Sequence, residues 1–129
     1  MSSAPTPSDI KLRKQSRVLE LHYGDGTHFS LPIEFLRVDS PSAEVRGHHP
    51  SQAQLQWGKR NIGVRELKPA GHYALQIVFD DGHDTGLYTW DYLFKLGRDH
   101  EALWNEYLDE LHAAGKSRDP DTQVLTLEP

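Results

Sequence analysis

Residues 71–97 read GHYALQIVFDDGHDTGLYTWDYLFKLG, and this stretch decides the fold. Leu75, Ile77 and Phe79 alternate with Ala74, Gln76 and Val78. Apolar residues at every second position put one face of a strand on a core, and β-branched and aromatic types favour that pleated surface. Asp80-Asp81-Gly82 then reverses the chain, because glycine supplies the positive φ that such turns require. Leu87 and Tyr88 carry the return strand. Thr89 stands before Trp90, Leu93 and Phe94, which recur at helical spacing. Its hydroxyl is placed to accept an orphan backbone N–H of the first turn. The stretch is one strand–turn–strand–helix unit, with His83 as the titratable ring of a polar corner.

Outward from this unit, the same pattern occurs earlier in the chain. LELHYGDGTHFSLPIEFL at 19–36 matches LQIVFDDGHDTGLYTWDYL at 75–93. Leu19, Leu21, Tyr23, Asp25, Gly26 and Leu31 align with Leu75, Ile77, Phe79, Asp81, Gly82 and Leu87. One residue inserted after that point brings Phe35-Leu36 onto Tyr92-Leu93. Two hairpin-plus-helix units of one pattern predict two halves on a shared core. Before the first unit, Ile10 to Lys14 reads as a strand with Ile10 and Leu12 inward, and Gln15-Ser16 as a turn. Pro32 suits the first turn of a short helix that buries Ile33, Phe35 and Leu36.

Between the units lies DSPSAEVRGHHPSQAQLQWGKR, residues 39–60, polar and too long for an idle connection. Asn61 to Lys68 resumes strand character, and Pro69-Ala70-Gly71 reads as a turn. After Gly97, Asp99 is a helix cap, and Leu103, Trp104, Tyr107, Leu108 and Leu111 form an amphipathic stripe ending at Gly115. The fold class is therefore α+β. It comprises a small antiparallel or mixed β-sheet built from two β-hairpin-plus-helix units, with a C-terminal amphipathic helix. Residues 1–8 read as a disordered tail, 9–115 as the domain and 116–129 as a loose tail in which Val124-Leu125 is a possible edge strand.

Composition narrows the function classes. The 129 residues suffice for one domain with a real core, although only 36% are hydrophobic and the mean hydropathy is −0.66. There is no cysteine, which removes disulfides, thiolate metal sites and a cysteine nucleophile. No apolar run approaches a membrane span and no signal segment opens the chain, so the expected setting is cytoplasmic with no membrane partner. Residues 1–71 carry ten Lys and Arg against seven Asp and Glu, whereas residues 72–129 carry four against twelve. The acidic half argues against nucleic acid as a partner. No G-x-S-x-G elbow and no His-x-Asp or His-x-Glu pair occurs, so no catalytic constellation is visible.

Three groups of residues are candidates for binding. His83 with Asp81 and Asp84 is competent metal chemistry, and equally ordinary turn chemistry. His48 and His49 are adjacent in the long loop and point apart, which favours solvated rings. Lys59, Arg60, Arg46 and Arg65 are suited to an anion, or to pairing with the acidic half. Trp57, in the polar loop beside Gly58-Lys59-Arg60, is either an exposed interface anchor or a cover for the sheet.

SPSAEVRGH at 40–48, GKR at 58–60 and the whole of 71–97 together resemble the DUF971 family, also called the γ-butyrobetaine hydroxylase-like N-terminal domain. The resemblance covers about residues 8–115 and looks like the standalone bacterial form. It implies a small α+β fold found also at the N-terminus of γ-butyrobetaine and trimethyllysine hydroxylases and fused to some P-loop iron–sulfur carriers. In the hydroxylases the domain holds zinc on three cysteines and a histidine. By resemblance those positions are Ser40, Ser42, Val45 and His83 here, so the zinc site is degenerate and no resident cofactor is expected. The expected function is a non-catalytic interaction or regulatory module with an unidentified protein partner. Its expected surface is Arg46, His48, Trp57, Lys59 and Arg60. The alternative is a metal-responsive accessory domain linked to iron or iron–sulfur metabolism.

Overall fold

The computed structural model describes residues 5–47 and 50–121. Two β-β-β-α units follow one another. The first runs β1 (Asp9–Arg13), β2 (Val18–His22), β3 (His28–Pro32) and α1 (Ile33–Val38). A short helix α2 (Ala43–Arg46) and a 3₁₀ turn (Pro50–Gln52) lie in the connection. The second runs β4 (Val64–Ala70), β5 (Ala74–Phe79), β6 (Leu87–Thr89) and α3 (Trp90–Arg98), and α4 (His100–Ala114) follows. The α+β class is as expected, but the strands form two separate three-stranded antiparallel sheets, ordered β1-β2-β3 and β4-β5-β6. β4 continues through Pro69 and Ala70, where a turn was expected; Ala70 still pairs with Ala74, and Gly71 makes the reversal with φ +57°.

The repeat holds at atomic detail. Gly26 and Gly82 adopt φ +91° and +89°. Thr27 N–H donates to Asp25 Oδ1 at 2.9 Å, as His83 N–H does to Asp81 Oδ1 at 3.1 Å. The two turns also share their backbone bonds, Tyr23 to Thr27 and Phe79 to His83. Leu19, Leu21, Tyr23 and Leu31 of one sheet meet Leu75, Ile77, Phe79 and Tyr88 of the other in one core, closed by Phe35, Leu36, Leu93 and Leu96.

One register differs from the sequence alignment. Leu31 pairs with Leu19, but Leu75 pairs with Tyr88, so Tyr88 and not Leu87 is the counterpart of Leu31. The extra residue lies inside the 80–86 turn, before the return strand. Side chains alternate along a strand, so the shift turns Tyr88 fully inward and leaves Leu87 41% exposed. Pro32 ends β3 and is the N-cap of α1, while Thr89 caps α3 by accepting Tyr92 N–H at 3.1 Å, as its position predicts. Asp99 precedes α4, but its carboxylate pairs with Arg98 and no side chain caps that helix. Leu108, expected in the apolar stripe, falls instead on the exposed side of α4.

The segment after Gly115 is tied down as far as it is described. Gly58 N–H donates to Ser117 O and Arg60 N–H to Arg118 O. Arg118 makes a bidentate pair, 2.7 and 2.8 Å, with the buried Glu34 of α1. His48, His49 and the expected Val124-Leu125 strand lie outside the described residues.

Candidate functional site

Apolar helix α1 carries a cation, Arg37, that is only 7% exposed. A buried charge needs a partner, because its desolvation is otherwise uncompensated. The partner is Asp81, whose Oδ2 accepts from Arg37 Nε at 3.0 Å and from Lys59 Nζ at 2.7 Å. Burial pulls the Asp81 carboxyl up, but Lys59, the His83 N–H and Arg37 outweigh it and hold the carboxyl down at about 2. The turn that carries His83 is thereby clamped to α1 and to the end of the long loop.

His83 is 6% exposed and sits between two elements. Its Nδ1 lies 3.2 Å from Glu44 Oε2 of α2, and its Nε2 2.8 Å from Ser40 Oγ. An ionised carboxylate only accepts, so Nδ1 carries the proton and Nε2 accepts the Ser40 hydroxyl. Ser40 Oγ in turn accepts Ser42 N–H at 3.2 Å, and Ser42 Oγ meets Thr85 Oγ1 at 2.6 Å. Burial and the neighbouring Arg37 push the imidazole below its ordinary pKa, against Glu44 and Asp81, which keeps the ring neutral near pH 7.

Ser40, His83 and Glu44 stand in the order of a nucleophile, a base and its orienting acid. Access decides against that chemistry. Ser40 is 0% exposed, and a methyl group built on Gly86 would come within 2.6 Å of its Oγ. A substrate carbonyl has no route to it. The arrangement is a hydrogen-bonded latch between α2 and the 80–86 turn.

The latch also tests the zinc site that the family resemblance implies. Ser40, Ser42 and His83 are brought together, and Val45 is buried one turn along α2. The donors do not fit the ion. Neutral hydroxyls are poor zinc ligands, Val45 offers none, and His83 Nε2 is committed to Ser40. Among the described residues no group of three or more His, Cys, Asp or Glu is placed to hold a metal.

The expected surface residues separate. Arg46 is a strut: Nη2 donates to Asp39 O (3.0 Å), Asp39 Oδ1 (3.2 Å) and Tyr92 Oη (2.5 Å), and Nε to Ser40 O (3.1 Å). Lys59 is taken by Asp81 and Arg60 by Asp119, so these two cations pair with the acidic half, one of the two readings that the sequence left open. Trp57 is 51% exposed, its ring covered on one side by Lys116 Nζ at 4.6 Å. It lines a groove of about 350 Å³ with Glu44, Gln54, Leu55, Gln56 and Lys59. A second cavity, about 410 Å³, lies between α2 and α4 with Asp39, Arg46 and Tyr107 in its wall. Sequence reading missed Glu44, Thr85 and Arg37. Only Arg37 had a signal, as a lone cation inside the apolar run IEFLRV.

Comparison with known proteins places this geometry in context. The sequence model described as gamma-butyrobetaine hydroxylase-like, N-terminal, matches residues 10–94. A protein solved by solution NMR is 53% identical, with a TM-score of 0.83 over 98% of this chain and 100% of its own. A second NMR structure is 41% identical, with a TM-score of 0.76 over 100% of this chain and 96% of its own. The crystal structure of a DUF971 protein of unknown function from Acidithiobacillus ferrooxidans is 41% identical, with a TM-score of 0.60 over 70% of this chain and 91% of its own. No curated protein matches the chain significantly.

Proposed function

We propose, for a chain that belongs to the γ-butyrobetaine hydroxylase-like N-terminal family, DUF971, that it acts as a non-catalytic protein-interaction module with its contact surface centred on Trp57. The observation that carries this reading is the half-exposed indole at the edge of the Trp57 groove. Exposed tryptophans in polar surroundings are the residues that most often anchor an interface, because a flat, amphipathic ring buries a large area at little entropic cost. The wall opposite is mixed, with Leu55 apolar and Glu44 and Lys59 of opposite charge, which suits a partner surface more than a buried small molecule. The groove adjoins the latch through Glu44, so the same side chain lines the contact surface and orients His83.

The family model matches residues 10–94, and the described residues beyond it add the rest of α3, α4 and the segment that follows. The metal-responsive alternative has the weaker support, since His83 is the one imidazole at the matching positions and already has two partners.

The test is a native pull-down from the source cell's lysate, with the Trp57→Ala and Arg60→Glu variants in parallel. Both side chains are largely outside the core. A stoichiometric partner bound by the wild type and lost with Trp57→Ala is expected. A partner retained by both variants moves the surface elsewhere, and no partner with any bait ends the interaction reading. Arg46 is unsuited to this test, because reversing it breaks the contacts to Asp39 and Tyr92.

A further inference from the structure

Three of the four positions that the family resemblance marks as ligands meet at one corner, and every donor there is already used. Ser40 Oγ and His83 Nε2 are 2.8 Å apart. Two ligands of a tetrahedral zinc ion stand about 3.4 Å apart, given bonds of about 2.0–2.1 Å to each. The pair has closed on itself where an ion would separate it. Ser42 Oγ is engaged with Thr85 at 2.6 Å, and Ser42 N–H with Ser40 Oγ at 3.2 Å. The far side of the ring is held by Glu44 at 3.2 Å, and two cations, Arg37 and Lys59, converge on Asp81 two residues before His83. Val45 contributes only aliphatic packing.

We infer that side chains do here the cross-linking that a metal does at the matching positions of relatives: Ser40, Ser42, Glu44, Thr85 and His83 form a metal-free staple that holds the start of the long loop and α2 onto the 80–86 turn. Glu44 and Thr85 are members that no ligand pattern names. Glu44 accepts the Nδ1–H that orients the ring, and Thr85 partners the Ser42 hydroxyl, which stands where a ligand would otherwise be satisfied by coordination. Positions 40 and 42 lie at this corner and position 45 follows on α2, so sulfur at those three positions is expected to regenerate a site. The inference is independent of the interaction surface, since a metal-free staple stands whether or not Trp57 binds a partner.

The experiment uses the full chain with zinc or cobalt(II) as the probe. At pH 7.5, the long-range ¹H–¹⁵N spectrum of the His83 imidazole is expected to show the Nδ1–H tautomer. Equimolar zinc leaves that spectrum and the amides of 40–46 and 81–86 in place. Exhaustive chelation leaves the unfolding midpoint unchanged. A zinc-induced shift of Nε2, or a midpoint lowered by chelation, overturns the inference. The Ser40→Cys/Ser42→Cys/Val45→Cys variant is expected to take up one cobalt(II) per chain with a thiolate charge-transfer band, against none in the wild type. A wild-type chain that binds cobalt(II) at this corner overturns the inference, and so does a folded triple variant that binds none. If the triple variant does not fold, the wild-type spectrum and midpoint still decide.

Discussion

Asp81 gathers more of the domain than any other single carboxylate near the candidate site. It ends the turn hydrogen bond from His83 and takes both Arg37 and Lys59. Its folded-state pKa, about 2, lies below the ordinary 3.8. A carboxyl depressed by folding stabilises the protein above its ordinary pKa and loses that contribution as pH falls toward the depressed value. Stability is therefore expected to fall between about pH 4 and pH 2 through this group. Asp81→Asn is expected to cost about 1 kcal/mol at pH 6, a figure discounted for partial exposure, with the difference from wild type shrinking toward pH 2.5. Urea unfolding at the two pH values checks this. Tyr88 offers a second residue-scale prediction. Its hydroxyl donates to Leu36 O at 2.5 Å inside the core, and burial pushes the phenol's pKa well up. Tyr88→Phe leaves that carbonyl unpaired and is expected to cost about 1–2 kcal/mol, read from the urea midpoint at unchanged slope.

At the scale of elements, the two hairpins share one turn and differ by one residue in their return strands. Gly82 must remain glycine, because φ +89° strains any side chain there. Gly82→Ala is expected to destabilise by about 1 kcal/mol or more, as is Gly26→Ala in the matching turn. The register shift makes a sharper contrast. Leu87→Ala changes stability by less than about 0.5 kcal/mol, whereas Tyr88→Ala costs about 3 kcal/mol or more, because only the second empties the core. The opposite ranking in thermal unfolding would restore the alignment of Leu31 with Leu87. Thr89→Ala removes the one side-chain cap of α3 and is expected to cost about 1 kcal/mol.

Across the whole molecule, the two sheets close on one core, and the segment after α4 fastens it from outside. Arg118 pairs with the buried Glu34 of α1 and lies over the Trp104 ring at 5.0 Å. Ser117 and Arg118 also accept the backbone N–H groups of Gly58 and Arg60. Ending the chain after Gly115 therefore leaves a buried carboxylate without its cation and frees the Trp57 loop. The expected cost is about 2–3 kcal/mol, with faster amide exchange at Gly58 and Arg60 as the signature. Arg118→Ala should reproduce the stability loss and leave Gly58 protected, since the backbone bonds remain.

The order of the strands and of α1, α3 and α4, the duplicated unit, the Thr89 cap and the α+β class followed from the sequence alone, because hydrophobic periodicity and turn chemistry are written into neighbouring residues, whereas the short α2 inside the long polar loop did not. The convergence of Ser40, Ser42 and His83 was legible too, though only through a family pattern and not from the residues themselves. Tertiary structure decided the rest. It placed the extra residue inside the 80–86 turn, which turned Leu87 outward. It bound Arg46, Lys59 and Arg60 to Asp39, Asp81 and Asp119, where the sequence left the choice between an external anion and acidic side chains open. It also brought Glu44 to a histidine 39 residues away. Such pairings depend on how separate elements dock, and a charge or a hydroxyl carries no periodic mark of the partner it will meet.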